Sequence, residues 1–141
     1  MPPKLERPLL YRLVFVSEMV GRAGMDVQSV AEILGVSEHN NRRDEISSAM
    51  MFHEGEVAQM VEGARADVDR LLARLSNDPR HRNMQVLDDR PIMQRRMSDS
   101  ARLCALNATQ AQDILQGRRL SDLSSARLEK LLSCDRVKMA A

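Results

Sequence analysis

The 141-residue chain carries 21 Lys and Arg against 20 Asp and Glu, a net charge of +1, so no global field draws it to nucleic acid or to an anionic membrane. Its hydrophobic fraction of 43% and charged fraction of 29% are those of a soluble globular protein, and its length suits one domain whose core needs no metal or disulfide staple. Aromatic residues are scarce, with no Trp, one Tyr (Tyr11) and two Phe (Phe15 and Phe52), while ten Met offer adaptable volume in their place.

The N-terminal residues, with Pro2, Pro3 and Pro8, lack the apolar stretch of a signal peptide. No apolar run approaches the roughly 20 residues that span a bilayer, so a cytoplasmic protein is the expectation. Residues 9–17 (LLYRLVFVS) are rich in β-branched and aromatic side chains and read as a strand. Both of its faces are apolar, as in a central strand covered on each side. Gly21 and Gly24 loosen the loop that follows, and Asp26 is placed to cap a helix bearing Val27, Val30, Ile33 and Leu34, with Gly35 as its end. Apolar runs at 46–52 and 56–61 flank His53-Glu54-Gly55 and predict a β-hairpin.

Ala64, Val68, Leu71, Leu72 and Leu75 form a single stripe at helical spacing, stopped by Asn77-Asp78-Pro79. Residues 84–87 and 92–97 are the last strand candidates. Thr109 is then a cap for a helix over 111–116, and Ser121 or Asp122 a cap for one bearing Leu123, Leu128, Leu131 and Leu132. The order is β-α-β-β-α-β, an α+β ferredoxin-like sheet of four or five strands with two helices on one face. Two C-terminal helices follow, whose apolar sides need the other face. Cys104 and Cys134 have no CxxC partner and no clustered His, which argues against a metal or redox site. They read as reduced thiols, with one disulfide as the alternative.

Several strings in order carry a family likeness. Asn40-Asn41-Arg42-Arg43, Ile46-Ser47-Ser48 and Gly55-Glu56-Val57-Ala58-Gln59-Met60-Val61-Glu62-Gly63 are similar to the core of the BLUF blue-light flavin sensors, which show a double Asn, I-T-G and G-x-F-x-Q-x-L-E-G. LLYRLVFVS resembles the family's first strand, Asp78-Pro79-Arg80-His81 its D-x-R-H, and Arg90-Pro91-Ile92 with Arg95-Arg96 its fourth-to-fifth strand region. The likeness runs over residues 9–102. It implies a flavin, FAD, held between the two helices, with Gln59 switching hydrogen bonds to the ring after light absorption and Asn41 bonding its polar edge. A side-chain amide offers donor and acceptor together, as that edge requires.

The departures gather at the same place. Phe15 stands where the family keeps the tyrosine that gives an electron and a proton to excited flavin, and a phenyl ring has no O–H to give. Tyr11 is four residues upstream on the strand, roughly 13 Å away at about 3.3 Å per residue. Ser48 adds a Cβ and a hydroxyl where the family has Gly. Val57 replaces the Phe of G-x-F-x-Q. Ser100 and Arg102 fall where relatives place a Trp or Met that reports the Gln switch.

Each residue also has a plainer reading. Asn41 and Gln59 serve either a ligand or a backbone bond, and Asn40-Asn41 between helix and strand is also turn chemistry. Glu62-Gly63 reads as structural, Gly63 easing the strand-to-helix turn. His81, between Arg80 and Arg82, faces a flavin phosphate, an anionic partner or, on the plainer reading, solvent, and His53 at the hairpin tip is not expected to be a metal site. The arginine pairs are scattered and offset by acids, against nucleic-acid binding. No nucleophile–base pair, P-loop or dinucleotide fingerprint is present, so an enzyme is not expected.

These features together point to a BLUF-like unit over residues 1–102 and a helical extension over 103–141. The expected function is a non-photoactive regulatory module that acts through a partner protein or its own dimer. Its contact surface is the helical region (about 107–135) or the exposed sheet face. On that reading Asn41, Gln59, Phe15, Ser48 and His81 are vestigial flavin-pocket residues and no cofactor is bound. The alternative is an FAD-binding light or redox sensor that keeps the Asn41 and Gln59 contacts.

Overall fold

β-Branched and aromatic side chains favour extended backbone, and residues of this kind build the first strand, β1 (Leu10–Met19), at the centre of the sheet. The computed structural model describes residues 9–21 and 26–133. The proline-bearing N-terminal stretch, Gly24 and Cys134 therefore lie outside the described residues. Asp26 caps α1 (Val27–Arg43), its carboxylate accepting from Ser29 N at 2.8 Å. The hairpin follows as β2 (Ser47–His53) and β3 (Glu56–Ala64), then α2 (Arg65–Ser76) and β4 (His81–Ile92). The chain then runs through β5 (Arg102–Leu103), α3 (Ala108–Leu115), a 3-10 turn at Leu120–Asp122 and α4 (Ser125–Leu132).

The sheet order is β4-β1-β3-β2-β5. β3 lies antiparallel between β1 and β2, and β1 antiparallel between β3 and β4. Each helix thus crosses between parallel strands with one strand inserted, the split βαβ pattern expected. β5 is a two-residue strand parallel to β2.

Alternation divides the side chains between two layers. Leu13, Phe15 and Val61 pack with Val68 and Leu71 of α2, while Met50 and Val57 pack with Ile33 of α1. On the other face Val14, Val16, Met51 and Met60 pack with Leu115, Leu120, Leu128 and Leu132 of the C-terminal helices. Those helices cover the second face as expected, so the sheet face named as an alternative contact surface is buried beneath them.

A charged cluster sits in this second layer. Glu62 is fully buried and takes Arg12 at 2.7 Å and the backbone N–H groups of Arg96 and Met97 at 3.0 Å. Arg12 also approaches Glu129 of α4 at 3.5 Å, and Glu129 holds Arg90 at 2.9 Å and Arg96 at 2.7 Å. The charges are mutually compensated, the condition under which burial is tolerated.

Several boundaries differ from those read in the sequence. α1 passes through Gly35 and ends at Arg43, because Ile33 and the buried Asn41 anchor it on both sides of that glycine. Asn40 and Asn41 are therefore helical. β4 is one long edge strand, and beyond Ile92 the backbone leaves the sheet until β5. Asn107 and Ser124, not Thr109 and Ser121 or Asp122, cap the last two helices. Gly63 is needed for close approach, since a Cβ there would lie 3.2 Å from Ile46 and 3.4 Å from Val68. Among the described residues no helix is long and apolar enough to cross a membrane.

Candidate functional site

Where α1 and α2 diverge above the sheet they leave a slot of about 110 Å³. Ile33, Met50, Val57, Leu71 and Leu75 give it apolar walls. Its floor is Gln59 of β3, paired across the strands with Phe15 of β1 and Met50 of β2. Gln59 is buried, and its side chain makes no hydrogen bond among the described residues. Its amide is available to a ligand.

Asn41 stands on the slot's α1 wall, in the last turn of that helix. Its Nδ2 donates to Ser48 Oγ at 3.0 Å and to Ser100 O at 2.7 Å. Oδ1 is buried with no partner. A buried orphan acceptor is destabilising by about 1–3 kcal/mol, so it marks a place where an N–H donor is wanted.

The other end of the slot is ionic. Arg74 donates through Nη1 to Asp44 at 3.3 Å, while its Nη2 is buried without a partner. Asp78 is paired with Arg80 at 2.8 Å, and the Arg80 guanidinium holds its carboxyl below the usual range. His81 Nδ1 lies 2.9 Å from Ser17 Oγ, and burial pushes the imidazole pKa down. His81 is thus half-buried at the slot's mouth.

Of the five residues singled out from the sequence, Asn41, Gln59 and His81 line the slot. Phe15 and Ser48 do not. Phe15 is fully buried beside Gln59 in the layer under α2, and Ser48 acts through Asn41. Sequence reasoning missed Arg74 and Asp78. Arg74 lies on α2 three residues beyond Leu71, and that spacing was the available signal for it; Asp78 lies past the helix end, in the Asn77-Asp78-Pro79 stop, where no periodicity points to it. Ser100 contributes only its backbone carbonyl, while Arg102 turns to the second layer and donates to Leu132 O of α4 at 2.8 Å. Among the described residues no group of three His, Cys, Asp or Glu is placed to hold a metal ion.

The polar groups suit the edge of a flavin ring, which presents N–H and C=O side by side. The space is tighter: a cavity of about 150 Å³ accepts a single benzene ring, so a tricyclic ring enters only if α1 moves away from α2. If bound, FAD would meet Asn41 and Gln59 at its polar edge, with Arg74 and His81 nearer the mouth.

A split-βαβ sheet, an amide-floored slot beneath two helices and a helical cover on the opposite face define a small α+β module of the sensor-domain type. The chain belongs to the BLUF family, whose model, described as sensors of blue-light using FAD, matches residues 10–102. A photoactivated adenylate cyclase subunit beta-like protein of Euglena gracilis is 35% identical over 82 residues, 58% of this chain. The photoactivated adenylate cyclase subunit beta of the same organism is 32% identical over 90 residues, 64% of this chain. The matched region is 10% of either relative's length.

Among solved structures, BlsA in its ground state superposes with a TM-score of 0.79 at 20% identity, over 92% of this chain and 91% of that one. BlrB in its dark state gives 0.75 at 24% identity, over 89% of this chain and 96% of that one. These two establish the fold. A bacterial light-regulated adenylyl cyclase is 28% identical, with a TM-score of 0.67 over 74% of this chain and 32% of that one.

Proposed function

We propose that this chain is a cytoplasmic regulatory module of the BLUF type that acts through a partner protein and lacks the family's tyrosine-driven photocycle. The observation that carries the reading is Phe15, fully buried and paired in register with Gln59. At this position a hydroxyl would reach the amide; a phenyl ring has neither a proton to give nor an oxidisable oxygen. Tyr11 does not replace it. It pairs with Gly63 at the far end of β1, and the Arg65 guanidinium lies 4.7 Å from its ring centre. A cation over the ring face disfavours removal of an electron.

The reading divides the chain into a BLUF-like unit over residues 1–102 and a helical extension over 103–141, and the family match ending at residue 102 supports the division. The outer surface of α3 and α4 is the contact surface for the partner, or for a second copy in a homodimer. Relatives named as photoactivated cyclases support an output through another domain or protein.

A second reading, an FAD-binding light or redox sensor, is favoured by the orphaned Asn41 Oδ1 and the unengaged Gln59 amide. Purified protein loaded with FAD and illuminated with blue light separates the two. The first expects no red shift of the flavin band and the same captured partner in darkness and light. A reversible red shift overturns it.

A further inference from the structure

The segment between β4 and β5 and the turn between α1 and β2 form the two walls of an open cavity of about 660 Å³. Arg95, Ser98 and Ser100 line the first wall, and Arg42, Glu45 and Ser47 the second. Glu45 is the one acid of the lining, against Arg42, Arg95 and Arg96.

Arg95 reaches across from the first wall to the second. Its Nη1 donates to Ser47 Oγ at 2.5 Å and to Glu62 O at 2.9 Å, and its Nη2 donates to Glu45 O at 2.6 Å. These acceptors are all neutral, and no carboxylate among the described residues pairs with Arg95. Arg12, Arg65, Arg80 and Arg96, by contrast, each hold a carboxylate at 2.7–2.8 Å. Three contacts occupy at most three of the five guanidinium N–H groups, so at least two remain, Nε–H among them. The head is held in place while its charge stays uncompensated, so an anion that meets it costs little further ordering.

Ser98 and Ser100 add hydroxyls that make no hydrogen bond among the described residues. Arg42 supplies a second cation, tied only to Glu38 at 3.4 Å on the surface. We propose that this cavity binds the phosphate group of a small phosphate ester, with the spare N–H groups of Arg95 and the two serine hydroxyls as its donors. A tetrahedral dianion has three free oxygens to meet these donors and the charge to match two guanidinium groups. The volume leaves room for the remainder of a small molecule. The inference does not depend on what the slot binds.

The full chain, labelled with ¹⁵N, tests it by NMR on the Nε–H of Arg95, assigned by its loss in Arg95→Lys, and on the backbone amides of Ser98 and Ser100. Inorganic phosphate is titrated against sodium chloride of equal ionic strength. A saturable shift with phosphate, absent with chloride, is expected. Arg95→Lys, followed by the two amides, is expected to bind about tenfold or more weakly, through loss of a charge-assisted contact that a point charge does not reproduce.

Ser98→Asp changes an exposed side chain, leaves the three Arg95 contacts in place and sets a carboxylate in the cavity. It is expected to abolish the saturable shift, and it carries the test by itself if Arg95→Lys does not fold. Arg127→Gln, which removes an exposed arginine outside the cavity, is expected to bind as the wild type does. A linear shift that chloride reproduces, or Ser98→Asp binding as tightly as the wild type, overturns the site. Acetate binding as tightly as phosphate overturns the class of ligand, and Arg127→Gln weakening binding as much as Arg95→Lys overturns its location.

Discussion

Restoring the missing hydroxyl measures how much of the site still works. Phe15→Tyr adds one oxygen to a fully buried ring whose cross-strand partner is Gln59. An unpaired buried hydroxyl costs about 1–3 kcal/mol, and a hydrogen bond it forms contributes about 1 kcal/mol. Because the Gln59 amide has no partner among the described residues, the hydroxyl has one waiting. Phe15→Tyr is therefore expected to destabilise the protein by about 1 kcal/mol or less, the bond offsetting the added crowding.

In a Gln59→Leu background the same change should cost about 2–3 kcal/mol, leaving a coupling of about 1–2 kcal/mol. Urea unfolding of the four proteins, with equal m-values, closes the cycle. Additivity within about 0.4 kcal/mol would refute the claim that the two positions address each other. The flavin-loaded Phe15→Tyr variant should also gain a light-induced red shift.

Glu62→Gln keeps the shape of a fully buried side chain but leaves Arg12 and two backbone N–H groups facing a neutral amide. A loss of about 3–5 kcal/mol by the same unfolding assay is expected, and a loss below about 1 kcal/mol would contradict the role given to the cluster. Gly35→Ala falls inside α1 with nothing within 4 Å of the new Cβ. It should stabilise the protein by about 0.5–1 kcal/mol, seen as a higher urea midpoint.

The parts of the fold written in a single local period were legible. The stripe from Val68 to Leu75 with its Asn77 stop, the hairpin around Gly55 and the Asp26 cap appear as read, while Ala64 ends β3 and only precedes the helix. Gly35 misled because a glycine inside an exposed turn of a helix looks like one that ends it; only the contacts of Asn41, six residues on, extend the helix. The length of β4 was hidden because HRNMQVLDDRPI is mostly polar and owes its extended state to pairing with β1.

At the site, Gln59 and Asn41 could be found from the resemblance of their strings to the family's. The tasks of Ser48 and Glu62 could not, because partners that define them come from segments far along the chain: Ser100 for one, Arg12 and the Arg96–Met97 backbone for the other. Hydrogen-bond partners of that separation leave no periodic trace in a sequence.

The carboxylate of Glu129 has a consequence for how the C-terminal helices can be used. Lifting α4 would uncover an apolar sheet and would also leave Arg12, Arg90 and Arg96 without the anion that draws them together. A greasy helix from another molecule could fill the groove and still not replace the contacts that Glu129 makes to them. Arg12 would keep Glu62 and Arg90 would keep Asp88, so an occupant carrying its own acid at that one position would be favoured over one that matched the groove in shape alone.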